Sequence, residues 1–332
     1  MCTGRYQSGH QLLSAEEYSQ AGYESIVVLD VSNPLAPTLV CRVNYPPYPI
    51  QPIQWLSASE FALVQPGHPA RLIDVDVARQ TITTIRQLSD SAYIASISAD
   101  RAWLATMEAG ADGGNVARLY GLAVARNLAN FPPVGGHGGT IYGFGGPSIE
   151  LSPDGSLVLA VDYGANYVSP TAPDLQVFDL QGNLLLSAAK GIWAAWDQTA
   201  LYYDDGGKVY RWVRGATPVA VGQADWLEPA VSPDGQHIAY LTFPGYSFKL
   251  DVMDTRSGIA TEIRTSGQRI DPLFVNSTLM WTSELQVCDN CYGGNNPTGR
   301  VFAYDVATGS EQEVNLPVLL SPLATASLSS PG

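Results

Sequence analysis

Residues 148–163 read S-I-E-L-S-P-D-G-S-L-V-L-A-V-D-Y, and this stretch decides the fold. A short apolar run precedes Ser152-Pro153-Asp154-Gly155, and a longer apolar run follows it. Proline fixes φ early in a tight turn, and glycine tolerates the left-handed conformation that ends it. The pattern therefore predicts a strand, a tight turn and a second strand.

The same hairpin recurs along the chain. A second S-P-D-G turn begins at Ser232, and looser turns of the same kind begin at Ser57 and Ser98. Between these inner hairpins lies an outer one, in which an apolar strand ends in an acidic residue and is followed by a turn. Seven positions, 32 to 56 residues apart, mark this outer hairpin, with Ala123 and Arg211 as degenerate copies: 30, 76, 123, 179, 211, 254 and 305.

Four short strands in a repeat of about 45 residues describe one blade of a β-propeller. A β-sandwich would not repeat this alternation of hairpins, and a helical solenoid needs a 3.6-residue period that these segments lack. We therefore predict an all-β protein with a single propeller of four-stranded antiparallel blades over residues 25–315. Seven blades are expected, with six or eight as the alternatives.

The turns that define the repeat also carry a resemblance. The S-P-D-G and D-x-x-T/S-G turns resemble those of TolB-like and WD-repeat-like propellers, and residues 25–40, S-I-V-V-L-D-V-S-N-P-L-A-P-T-L-V, are similar to an LVIVD repeat. The resemblance covers about residues 25–315. It implies the fold and says little about activity, because such propellers serve as binding platforms, as scaffolds and occasionally as enzymes.

The count of hairpins leaves one blade incomplete. Seven outer hairpins can be placed but only six inner ones, because residues 1–24 read as an irregular segment or a short helix with a capping box at Ser14-Ala15-Glu16-Glu17. Three completions stay open: irregular strands from residues 3–13, a closing strand in the C-terminal stretch 314–320, or strands donated by a neighbouring subunit. The third would make the protein a self-assembling subunit. Residues 316–332 are assigned to the closing strand and a C-terminal tail.

Charge and motifs exclude several functions. Lys and Arg number 17 against 31 Asp and Glu, and the net charge of −14 argues against nucleic acid or an anionic membrane surface as the main partner. No apolar run is long enough to span a membrane. The four histidines are scattered, and neither a G-x-S-x-G nor an H-E-x-x-H motif occurs. We predict a non-enzymatic protein without a cofactor.

The cysteines indicate in which cellular compartment the protein works. Cys288 and Cys291, in C-D-N-C, are predicted to form a disulfide that pins a long loop, which fits an extracytoplasmic protein: secreted, cell-surface or periplasmic. Cys2 is either the remnant of a lipoprotein processing site, and so a lipid anchor, or a plain chain boundary. Whether Cys2 pairs with Cys41 is left open. Asp112 with Asn115 is a weak calcium candidate.

Long loops are expected on one face of the propeller, formed by second-to-third-strand connections and blade-to-blade connections. They carry aromatic residues suited to protein contacts or to sugar stacking, unless these merely pack the loops onto the blades. The candidate binding residues are Tyr142, Phe144, Tyr163, Tyr167, Tyr246, Phe248 and Tyr292. The first hypothesis is a platform or self-assembling subunit that acts through protein contacts. The alternatives are a ligand- or glycan-binding propeller and a hydrolase or lyase with an acidic channel site.

Overall fold

The computed structural model describes residues 10–17, 25–44, 54–65, 69–121, 125–131, 148–162, 174–190, 193–223, 227–242, 248–286, 296–320, 323 and 327–328. Within them lie 28 strands and no α-helix. The first eleven strands are β1 Leu12–Glu17, β2 Ser25–Asp30, β3 Thr38–Asn44, β4 Gln54–Trp55, β5 Glu60–Gln65, β6 Arg71–Asp76, β7 Thr81–Gln87, β8 Ala92–Ile97, β9 Leu104–Ala109, β10 Asn115–Tyr120 and β11 Ala125–Phe131.

The remaining strands follow in chain order. Those up to β19 are β12 Ser148–Leu151, β13 Leu157–Val161, β14 Leu175–Asp179, β15 Leu184–Ala188, β16 Ala194–Trp196, β17 Leu201–Asp205, β18 Lys208–Trp212 and β19 Val219–Gln223. The last are β20 Leu227–Val231, β21 His237–Thr242, β22 Lys249–Asp254, β23 Ala260–Ile263, β24 Gln268–Phe274, β25 Leu279–Gln286, β26 Asn296–Asp305, β27 Ser310–Glu313 and β28 Ser327–Leu328.

These strands form seven four-stranded antiparallel sheets, which we number as blades. Blade 1 has the order β28-β1-β2-β3, and blades 2 to 7 take β4–β7, β8–β11, β12–β15, β16–β19, β20–β23 and β24–β27 in turn. The prediction of an all-β, seven-bladed β-propeller is therefore confirmed.

The chain divides into two compact units. The first comprises residues 1–62, 74–83 and 228–332 and contains blades 1, 6 and 7; its apolar core includes Leu13, Val27, Trp281 and Val301. The second comprises residues 63–73 and 84–227 and contains blades 3, 4 and 5. Its core is built from alternate residues of the second and third strands, which are almost fully buried because each blade packs on both faces.

The serine of the S-P-D-G turn forms the hydrogen bonds that close the turn. The Ser152 amide donates to Leu157 O over 3.0 Å, and Ser152 Oγ in turn accepts from the Leu157 amide over 3.0 Å. Ser152 Oγ donates to Asp154 Oδ1 over 2.6 Å, and Gly155 takes a φ of 69°. The turn that begins at Ser232 repeats this arrangement. The motif therefore closes the first-to-second-strand hairpin as the sequence predicts.

The acidic residue of the outer hairpin caps the following turn. At the end of β14, Asp179 Oδ1 accepts from the amides of Gln181 and Asn183 over 2.9 and 2.8 Å. Asp254 and Asp305 each accept from the amides two and three positions later in the chain. A side-chain carboxylate that binds its own turn amides explains why this position is acidic in five of the outer hairpins.

Blade 1 is completed by the chain's own C-terminal segment. Leu13 and Ser14 of β1 pair with Leu328 and Ser327 of β28, so β28 takes the first position of the blade. Among the three completions left open by the sequence, the structure shows a C-terminal one: residues 327–328 form the first strand, and Leu320, at the end of the predicted stretch 314–320, bridges Glu17 of β1. Strand donation by a neighbouring subunit is not needed to fill this edge.

The expected short helix at Ser14–Glu17 is wrong, because these residues lie in β1. The six residues of β1 pair with the six of β2, and Leu12, Leu13 and Ala15 are buried. Pairing and burial outweigh the local capping pattern, which is a weak preference by comparison. In the described part of the chain, no helix has the length and apolar character that crossing a membrane requires.

Candidate functional site

Each blade has two unlike ends. At the turn end lie the first-to-second-strand and third-to-fourth-strand turns, none of which exceeds seven residues. At the loop end lie the second-to-third-strand connections and the exits from the fourth strand. Every connection of nine residues or more lies at a loop end: 45–53, 132–147, 162–174, 287–295 and 314–326. The loop ends are therefore the candidate functional surface, as the sequence predicts.

Most of the predicted binding residues lie outside the described residues, namely Tyr142, Phe144, Tyr163, Tyr167, Tyr246 and Tyr292. Phe248 is described; it is half-buried and directly precedes β22 at the loop end of blade 6. Cys288 and Cys291 are also outside the described residues, and their disulfide stays a prediction. Cys41, in β3, is disulfide-bonded, and the chain's other three cysteines all lie outside the described part.

The weak calcium candidates have other contacts. Asp112 Oδ1 accepts from the Gly114 amide over 3.1 Å, and the Asn115 side chain bonds to two residues of neighbouring strands and loops. Within the described ranges, no group of three or more His, Cys, Asp and Glu side chains is placed to hold a metal ion.

Asn115 instead belongs to a hydrogen-bonded chain at the loop ends of blades 3 and 4. Tyr93 Oη donates to Asn115 Oδ1 over 2.6 Å, and Asn115 Nδ2 donates to Asp162 Oδ2 over 2.9 Å. The Asp162 amide donates to Asp174 O over 2.9 Å, which brings together the two ends of the connection 162–174. These hydrogen bonds hold in place the two ends of the connection 162–174, one of the longest in the protein.

Burial raises the pKa values of two side chains in this set of hydrogen bonds, Asp162 and Tyr93. Asp162 is 2% exposed, and its burial raises its pKa to about 6 although the hydrogen bond from Asn115 opposes the shift. Burial and the nearby Asp162 charge also raise the pKa of Tyr93, which stays a hydrogen-bond donor at neutral pH. The Asp162 carboxyl therefore changes its charge within the mildly acidic range.

A buried arginine holds the loop end of blade 7. The Arg269 side chain is fully buried; its Nε donates to Glu311 Oε1 over 2.9 Å, and its guanidinium lies 3.7 Å from the centre of the Phe302 ring. Arg300 also approaches this ring, at 5.0 Å, and pairs with Glu284 and Glu313. A buried cation that is both paired and stacked fixes its strands firmly, and residues 287–295 leave the blade beside it.

The first strands of blades 6 and 7 carry a carboxyl pair. Glu228 Oε2 accepts from the Asp271 amide over 3.1 Å, and both residues adopt a left-handed backbone, with φ of 50° and 49°. Burial, then the charge of Asp271, raises the pKa of Glu228 well above its usual range. Glu150 lies on the first strand of blade 4, where burial raises its pKa to about 7. All three carboxyls lie on the first strand of their own blade.

The sequence did not single out Asp162 or Glu228 as titrating groups. Their pKa values depend on burial and on neighbours from other strands, which a single sequence does not show. Glu228 and Asp271 both directly precede a proline, a position that predicts an extended backbone, so their left-handed conformation could not be predicted from the sequence. A left-handed residue before proline is rare and marks a strained position.

Comparisons with known proteins agree with the fold. The chain is similar to TolB from Acinetobacter baumannii, with a TM-score of 0.53 and 13% identity over 96% of this chain and 66% of that one. It is also similar to the Cps50 (Swd1) β-propeller domain of Myceliophteria thermophila, with a TM-score of 0.52 and 12% identity over 85% of this chain and 95% of that one. The resemblance to TolB-like and WD-repeat-like propellers is confirmed at the level of the fold.

Enzymes occur among the similar structures as well. The chain matches a prolyl endopeptidase with a TM-score of 0.55 and 11% identity, over 97% of this chain and 50% of the enzyme. This chain thus spans about two thirds of the TolB chain and half of the endopeptidase chain. No family model and no curated protein sequence matches the chain. At these identities the comparisons show a propeller fold and no activity, and the LVIVD-like first repeat stays a prediction.

Proposed function

We propose that this protein is a non-enzymatic, extracytoplasmic binding propeller whose loop ends contact a partner protein. The observation that carries the proposal is the unequal length of the connections: every long one lies at a loop end, while the turn ends keep minimal turns. Loops on a rigid scaffold are where binding residues concentrate. The buried contacts of Asp162 and Arg269 support the proposal because they fix the points where these loops leave the blades.

The disulfide of Cys41 supports the extracytoplasmic part of the proposal, because disulfides persist in oxidising compartments. Peptide mapping of native protein, alkylated before and after reduction, tests it. A Cys41 disulfide and a linked pair Cys288–Cys291 are the expected results, and unmodified free thiols at these positions would contradict them. The same spectra examine Cys2, where a lipid anchor requires a thioether-linked lipid and excludes a disulfide to Cys41.

The binding role is tested with two matched variants. In the loop variant, residues 132–147 are replaced by a short Gly-Ser linker; in the control, residues 306–309 at the turn end of blade 7 are replaced by a linker of the same kind. Both are expressed in the source cells, cross-linked and purified with their partners. We expect one partner that wild type and the control retain and that the loop variant loses. Loss in the control alone, or no specific partner of wild type, would contradict the proposal.

A further inference from the structure

A small pocket lies at the turn ends of blades 4 and 5, at the opposite ends from the proposed partner-binding loops. It has a volume of about 90 Å³ and lies between the S-P-D-G turn of blade 4 and the first-to-second-strand and third-to-fourth-strand turns of blade 5. A single bound water needs roughly 10–15 Å³ on this measure, so the pocket has room for part of a ring-sized molecule.

Two indoles form an apolar wall of this pocket. Leu201 of β17 pairs with Trp196 of β16 on one side and with Trp212 of β18 on the other. In-register neighbours on adjacent strands point to the same face of a sheet, so both tryptophans lie on one face of blade 5. Trp212 is 3% exposed, while Trp196 is half-buried and lines the opening with Leu157 of blade 4.

The pocket also contains a donor. Arg214, in the third-to-fourth-strand turn, is exposed and lines the pocket, and its charge is among the influences that lower the pKa of Asp179. Its guanidinium carries several N–H groups, which can donate to an acceptor on a ligand.

Acceptors line the pocket from both blades, Asp154 from blade 4 and Asp197 from blade 5. Asp154 accepts from the Ser152 and Ser156 hydroxyls, and these bonds lower its pKa although burial alone would raise it, so the carboxylate is ionised at neutral pH. Asp197 Oδ1 accepts from the amides of Thr199 and Ala200. Both carboxylates are held in place by their own turns and present fixed negative charge to the pocket.

This combination selects a neutral polyhydroxylated ligand. The two carboxylates disfavour an anion, Arg214 disfavours a cation, and a purely apolar ligand would make no hydrogen bond with either kind of group. A sugar hydroxyl both donates and accepts, and the C–H face of a pyranose ring packs against an indole. We propose that this pocket is a carbohydrate-binding site that takes one neutral pyranose residue, separate from the protein-binding loop ends.

The test follows the indole N–H signals in NMR spectra of the full chain labelled with ¹⁵N-tryptophan. The chain has seven tryptophans and therefore seven such signals. The Trp196 signal is assigned by its loss in Trp196→Phe, and the six remaining signals report whether that variant is folded. Methyl glycosides of glucose, galactose, mannose and N-acetylglucosamine are titrated separately. We expect one of them to move the Trp196 signal saturably, with a Kd of about 1 mM, as fits a single ring with few contacts.

Two arginine variants make the result specific. Arg214→Ala should weaken binding about tenfold, because the ligand loses a charge-assisted hydrogen bond. Arg256→Ala removes an equally exposed arginine from the corresponding turn of blade 6 and should leave Kd unchanged. Absence of a saturable Trp196 shift with all four sugars would overturn the proposal. So would equal effects of the two variants, or a shift produced by a proline-rich peptide and by no sugar.

Discussion

Arg101 occupies the position that Gly155 and Gly235 take in the two S-P-D-G turns. All three adopt a left-handed backbone, with φ of 60°, 69° and 67°. The rest of the turn is the same, since Ser98 Oγ accepts from the Trp103 amide over 3.0 Å. An L-residue with a Cβ is strained in this conformation, whereas glycine is not.

We therefore predict that Arg101→Gly stabilises the protein by roughly 0.5–1 kcal/mol, because relief of strain exceeds the added entropy of the unfolded chain. Urea unfolding measures the effect. Arg101→Ala is the matched control: it removes the same side chain but keeps the Cβ, so it should show no such gain. A glycine variant no more stable than the alanine variant would refute the role of strain.

Asp162 gives a prediction about pH. Its pKa is about 6 in the folded protein against 3.8 in a free carboxyl, so the folded state binds the proton more tightly than the unfolded state does. The stability from this proton is present at low pH and is lost as pH rises through 6. Asp162→Asn imitates the protonated carboxyl and still accepts the bond from Asn115.

The variant should exceed wild type in stability by about 2 kcal/mol at pH 7.5 and should match it near pH 4. Urea midpoints across this range provide the measurement. Asp90→Asn, at an exposed position in the connection between β7 and β8, serves as the control and should give a constant difference. A stability difference for Asp162→Asn that does not change with pH would count against a raised pKa.

At the scale of the element, β28 decides how blade 1 is finished. It contributes two residues, which pair with Leu13 and Ser14 of β1; among the described residues, the only other bridge on this edge of β1 joins Glu17 to Leu320. An exposed edge lowers stability and offers a template for another chain. We predict that removal of residues 327–332 destabilises the protein and causes self-association, whereas removal of residues 329–332 alone does neither.

Light scattering coupled to size exclusion, together with urea unfolding, tests both truncations. Wild type should elute as a monomer, because its own C-terminal segment covers the edge of β1. A wild-type oligomer that the longer truncation disperses would mean that β28 joins subunits. A longer truncation that behaves like wild type would mean that two paired residues contribute little to the blade.

The hairpins could be predicted from the sequence because their turns are local. Ser152 and Asp179 bind amides within five residues of themselves, so the motif and its structure occupy the same short stretch. The partner of β1 could not be predicted, because β28 lies about 300 residues away in sequence and pairs over only two residues. The proximity of Trp196 and Trp212 in blade 5 could not be predicted either, because it depends on the register in which Leu201 pairs with both of them.

For the whole molecule, the carboxyls determine how stability depends on pH. The pKa values of Glu150, Asp162 and Glu228 are raised, mainly by burial, so the stability that these protonated groups give the fold is lost as pH rises from about 4, where free carboxyls titrate, to about 7. The turn carboxylates Asp154 and Asp254 have lowered pKa values, and their contribution is lost as pH falls below about 4. The net charge of −14 at pH 7 adds self-repulsion on the alkaline side.

These opposing groups place maximum stability at about pH 5, on the acidic side of neutrality. Urea midpoints measured from pH 4 to 8, at low protein concentration because the pI is about 4.5, should fall steadily above the maximum. Because charge repulsion alone could give the same trend, the triple variant Glu150→Gln, Asp162→Asn, Glu228→Gln separates the two causes. A control variant has three exposed carboxylates replaced instead. If the three carboxyls with raised pKa values are responsible, the first variant reduces the loss of stability with rising pH more than the control does. An equal effect of both triple variants would assign the slope to net charge.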